Sequence, residues 1–153
     1  MNWKILISCL LIVYSVAFLG SLFSTPQVNA SWYQSIKPSI TPPNFVFPIV
    51  WNLLFFLITL SLYSLWIKIK KNEKTKVAIL FGINLFLNLL WSFLFFYIKS
   101  PLLAFFDIIL LVISTCLIIQ FSWRINRCSS YLLISYLVWL IFAGVLNYLI
   151  AFG

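Results

Sequence analysis

Five long apolar stretches dominate the chain: residues 5–23, 45–67, 77–98, 102–123 and 131–152. Asp107 is the one charged residue within them. A helix of about 20 residues crosses a hydrocarbon core of roughly 30 Å, and each stretch is that long. In lipid a segment must satisfy its own backbone hydrogen bonds, so helix is the state that fits. A membrane strand would need a polar residue at every second position, and these runs lack that alternation. The pattern therefore predicts an all-α protein, a single bundle of five transmembrane helices filling residues 1–153, with one long connection over residues 24–44.

The connections sharpen this picture. Lys99-Ser100-Pro101 predicts a tight turn, with Pro101 placed to open the next helix. Residues 68–76 and 124–130 are short and basic, whereas 24–44 carries Pro26, Pro38, Pro42 and Pro43. The first run follows Lys4, and Val28-Asn29-Ala30 resembles a small-residue cleavage site. Its apolar core is longer than the roughly 7–15 residues of a secretory signal, so a retained helix is expected.

Composition agrees with a membrane location. Of 153 residues, 64% are apolar and 8% charged, against about 25% charged in average globular chains. The net charge of +8 does not imply nucleic acid, because the basic residues flank apolar runs instead of forming a surface. Alternate sides of the membrane receive them unequally. One side has Lys4, Lys68, Lys70, Lys71, Lys74, Lys76, Arg124 and Arg127; the other has Lys37 and Lys99. Positive residues favour the cytoplasm. The N-terminus is thus expected inside, with the 24–44 connection and the C-terminus outside. Cys9, Cys116 and Cys128 show no metal-ligand spacing and read as small buried packing residues. No metal and no cofactor is expected.

Tryptophans fall into two groups. Trp3, Trp66 and Trp123 lie at the basic ends of runs, where an amphipathic ring anchors at the interface. Trp51, Trp91 and Trp139 lie about 9, 10 and 20 Å below the opposite ends, at 1.5 Å per residue. Asn84, Asn88, Trp91 and Ser92 share one face of the third helix, and Tyr136, Trp139, Ala143 and Asn147 share one face of the fifth. Ala143 and Gly144 leave room beside them. Polar groups inside a membrane either pair or line a cavity. Two readings follow: the asparagines tie helices together, or the second, third and fifth helices enclose a pocket. Separately, Ala78 and Gly82 form a small-xxx-small pair on the third helix, a candidate surface for a homodimer or for internal packing.

Several stretches resemble the tryptophan-rich sensory protein family (TspO/MBR type), which includes the mitochondrial translocator protein, or peripheral benzodiazepine receptor. They are Trp32-Tyr33, Lys37-Pro38-Ser39, Thr41-Pro42-Pro43, Pro48-Ile49-Val50-Trp51, Leu87 to Ser92, and Tyr136 with Trp139, Phe142-Ala143 and Leu146-Asn147. Asp107 resembles an acidic position of bacterial members. The resemblance implies a multi-pass protein of a bacterial cell membrane that binds porphyrin or other tetrapyrrole-like ligands, with a sensory, translocating or light-dependent porphyrin-degrading role. By position, Trp51, Asn88, Trp91, Ser92, Trp139, Ala143 and Asn147 would line the pocket and Tyr33 would lie in its lid. Trp51 and Trp139 would be the candidates for photochemistry. Ile40, Phe47 and Ser135 depart from the family pattern. No basic residue follows Tyr148, so the cholesterol motif of animal members is not carried over. With no histidine in the chain, metal-free porphyrin is favoured over haem.

Overall fold

The computed structural model describes residues 2–153. Six α-helices are formed: α1 (Trp3–Ser24), α2 (Ser31–Ile36), α3 (Val46–Trp66), α4 (Lys74–Ser92), α5 (Pro101–Trp123) and α6 (Arg127–Phe152). All but α2 are long and apolar enough to cross a membrane, α4 together with its flanking turns. The chain is an all-helical, multi-pass membrane protein.

Local chemistry explains the boundaries. The Asn2 side chain accepts a bond from the backbone N–H of Ile5, capping α1. Ser100 accepts from the N–H of Leu103, and Pro101 occupies the first turn of α5, as its sequence predicts. The preceding turn is closed by Lys99 at φ 56°, a left-handed conformation uncommon for a side chain with a Cβ. Just before it, α4 ends in a π-helical turn, Phe93–Tyr97. A short 3₁₀ turn, Lys71–Glu73, leads into α4.

Three expectations need correction. The 24–44 segment is not purely a loop, because Ser31–Ile36 forms α2 within it. The last helix begins at Arg127, four residues before the apolar run, since polar residues can extend a helix at its end. Cys9 is buried, but Cys116 and Cys128 are exposed on the outer surface of the bundle. A thiol is apolar enough to face acyl chains as readily as a core.

The helices form a ring in the order α1, α3, α6, α5, α4, and α4 returns to α1. Thus α3 and α4, though consecutive spans, touch little, and α1 stands between them. Polar joints fasten the ring. Ser61 and Ser129 each donate to the other's backbone carbonyl at 3.0 Å, tying α3 to α6. Asn84 donates to Thr115 at 2.9 Å and Ser114 at 3.2 Å, tying α4 to α5. Joints of this kind contribute about 0.6–2 kcal/mol each in a membrane. Toward the basic end the interior is solid: Val13, Leu65, Val77, Leu111, Ile118 and Leu140 are 0–1% exposed. Rings at that end meet cations, Lys74 over Trp66 and Arg127 over Trp123 at 5.3 and 5.7 Å.

Candidate functional site

Toward the other end the ring opens into a cavity of about 610 Å³. Its walls contain Tyr33, Trp51, Asn88, Trp91, Ser92, Trp139, Ala143 and Asn147, all eight residues singled out in the sequence. α3 supplies Trp51, α4 supplies Asn88, Trp91 and Ser92, and α6 supplies the last three. The structure thus brings them together around one space.

Two of the asparagines have a structural task at the same time. Asn88 donates to the Tyr136 hydroxyl at 3.0 Å, joining α4 to α6. The Trp91 indole N–H donates to Asn147 Oδ1 at 2.9 Å, and Asn147 Nδ2 donates to the Pro101 carbonyl at 2.8 Å. Asn147 therefore fixes the Trp91 ring while tying α6 to the start of α5. Both readings of these amides hold, since they fasten helices and face a cavity. Asn84 belongs wholly to the helix joint and lies outside the cavity wall.

The aromatic walls are mutually supported. Trp91 stacks on Phe95 with centroids 5.0 Å apart and planes at 19°. Trp139 meets Phe47 edge-on at 5.9 Å, and Trp51 meets Tyr136 edge-on at 6.4 Å. Such geometry holds each indole in one orientation. The Trp139 indole N–H is buried and has no acceptor in the protein. A buried donor left without a partner costs about 1–3 kcal/mol.

A lid covers the cavity. Tyr33, on α2, is buried against Phe95 and Phe96 at 6.1 and 5.8 Å. Burial pushes its phenol above the ordinary value, keeping the hydroxyl protonated and able to donate. Gln34 donates to the Val28 carbonyl at 2.7 Å, and Asn44 donates to Asn29 at 2.9 Å. Lys99 sits over the Trp32 ring at 5.7 Å, pinning the lid to the turn after α4.

Sequence reasoning missed part of the wall. Ala17, Gly20 and Ser21 of α1 line the cavity, as do Phe47, Phe95 and Phe96. The small residues near the end of the first run were a readable signal. Gly20 faces Ser92 of α4, where an added Cβ would lie 3.4 Å from Oγ, an ordinary van der Waals contact. The aromatics of the π-helical turn were not readable, because the extra residue shifts their facing. Asp107 lies outside the wall, on α5, 4% exposed, with neither carboxylate oxygen hydrogen-bonded in the protein.

Known proteins show the same sequence pattern. The profile of the TspO/MBR family matches residues 8–152. Tryptophan-rich protein TspO of Archaeoglobus fulgidus is 40% identical over 151 residues, covering 98% of this chain and 97% of that protein. The protein of the same name from Chlorobaculum tepidum is 42% identical over 148 residues, covering 93% and 90%. The translocator protein of Bos taurus is 30% identical over 138 residues, covering 86% and 79%. With its ring of five membrane-crossing helices and a family match across nearly its whole length, the chain belongs to the TspO/MBR family.

Proposed function

We propose that the protein binds a flat, amphipathic ring of the porphyrin class in this cavity and serves a sensory or regulatory role in its membrane. The observation that carries the reading is a 610 Å³ space walled by Trp51, Trp91 and Trp139 together. Ligand pockets run to about 300–1,000 Å³ and are mostly apolar with a few placed polar groups. Indole faces suit a tetrapyrrole plane. The chain has no histidine, which favours a metal-free ring over one held through an axial imidazole.

The test is titration of purified protein with protoporphyrin in darkness, read by tryptophan quenching. Saturable one-to-one quenching is the expected result. Quenching that rises without saturation, as for free indole, would sink the proposal.

Relatives carry the names tryptophan-rich sensory protein and translocator protein. Sensing suits this chain better than translocation. Below the cavity, Val13, Leu54, Ile58, Leu85 and Leu140 are at most 4% exposed, so no second opening faces the basic end among the described residues. Light-driven breakdown of the ring is a second reading, favoured by the shared position of Trp51 and Trp139 on the cavity wall. As partner we propose a second copy of the chain, meeting across α4. Ala78 and Gly82 face outward there, and a Cβ at Gly82 would touch nothing within 4 Å, which disfavours the internal-packing alternative.

A further inference from the structure

The cavity's walls meet the outside of the bundle in different ways. From α4 and α6, Asn88, Ala143 and Asn147 line it and are buried. On α1 and at the start of α3, Ser21, Phe45, Pro48 and Asn52 line it and are exposed. A residue that borders both the cavity and the outer surface marks a breach, and these four lie on one seam. Asn52 is six residues past the start of α3, about 9 Å down the helix. The breach therefore extends below the lid, alongside acyl chains. Its floor is the Tyr14 hydroxyl, which donates to the Asn52 carbonyl at 3.3 Å. Beneath that bond Val13 and Leu54 are 0% and 3% exposed, and the seam is sealed.

Two further features fit a passage. The α1 side of the seam carries the small residues Ala17 and Ser21, one helical turn apart, which leave width between the helices. The exposed Asn52 amide has no hydrogen-bond partner among the described residues, and polar groups facing lipid are costly unless they serve a purpose. On the water side Tyr33 and the bonded 28–44 segment cover most of the cavity, and Thr25 and Asn29 are the exposed lining residues at that rim.

We infer that the seam between α1 and α3 is a lateral portal through which amphipathic ring ligands dissolved in the bilayer reach the cavity. The ligand class rests on the reading above; the portal rests on the wall itself. Asn52 and Ser21 offer polar gateposts to a carboxylate-bearing edge, while the ring slides past Phe45 and Pro48.

The experiment has two arms, both on the full chain reconstituted in vesicles. In the first, Ala143→Cys is placed in the cavity wall after Cys9, Cys116 and Cys128 are changed to alanine. N-dodecylmaleimide dissolved in the bilayer should label it, a charged maleimide in the water should not, and adding Ser21→Trp should block the labelling. Reactivity toward the charged reagent alone, or labelling indifferent to Ser21→Trp, would overturn the portal. In the second arm, association of protoporphyrin is followed by stopped-flow fluorescence. Its rate should follow ligand per lipid, and Ser21→Trp should slow it more than the lid change Trp32→Ala does. The opposite order would place the route under the lid. If protoporphyrin fails to bind the parent, the porphyrin-class reading falls, and the labelling arm still decides the portal.

Discussion

Trp139 combines two properties that pull apart under substitution. Its face lines the cavity, and its N–H is buried without an acceptor. Phenylalanine keeps an aromatic face but is much harder to oxidise than indole. Trp51→Phe and Trp139→Phe should therefore weaken dark binding of protoporphyrin by less than the roughly 0.5–1.5 kcal/mol that an aromatic pair is worth beyond burial. Light-driven loss of porphyrin fluorescence should fall far more if the indoles carry the chemistry. Trp66→Phe, near Lys74 at the basic end, is the control. Three variants matching the parent in both measurements would refute the assignment, and a change confined to binding would leave a sensor without photochemistry. A different outcome is expected at Asn84, whose two bonds join α4 to α5 away from the cavity. Asn84→Ala should lower thermal stability in detergent by about 1–2 kcal/mol while porphyrin affinity stays as in the parent. At this scale the sequence was informative about which residues face inward, because tryptophan and asparagine inside an apolar run require an explanation. It was silent on partners: nothing in the spacing said that Asn147 would hold the Trp91 ring.

Elements were legible where lipid leaves the backbone no choice. Each apolar run became a helix, and Ser100-Pro101 opened α5 as its chemistry demands. The lid helix α2 and the π-helical turn were not legible. α2 is six residues long, too short to be stable alone, and it is held by the contacts of Tyr33 and Trp32 with Phe95. The turn at Lys99 can be tested directly. Its φ of 56° is a conformation that glycine adopts without a steric penalty. Lys99→Gly should leave thermal stability within about 1 kcal/mol of the parent, although the contact with Trp32 is lost. Lys99→Val, β-branched, should lower it by more than about 1 kcal/mol. Equal stability of the two variants would show that the turn relaxes. On α4, Ala78→Leu with Gly82→Leu should dissolve the proposed dimer, measured by light scattering in detergent. An unchanged mass would remove this face from consideration.

For the whole molecule, the unequal distribution of ten Lys and Arg residues yields a prediction about sidedness. A cysteine added after Gly153 should be labelled by an impermeant reagent from outside the cell, together with one at Asn29. Labelling of that added cysteine from the cytoplasm would invert the orientation. The order of helices around the ring was beyond the sequence, because these helices bear large apolar residues toward lipid as well as toward the core. With both faces oily, periodicity does not reveal neighbours. That ring order also has a meaning for synthesis on the ribosome. α6 lies between α3 and α5 and carries Trp139, Ala143 and Asn147, so the chamber has no back wall until α6 leaves the translocon. A nascent chain halted after α5 would present Trp51 and Trp91 to lipid with nothing opposite them. A chain without α6 thus offers proteases an unclosed ring.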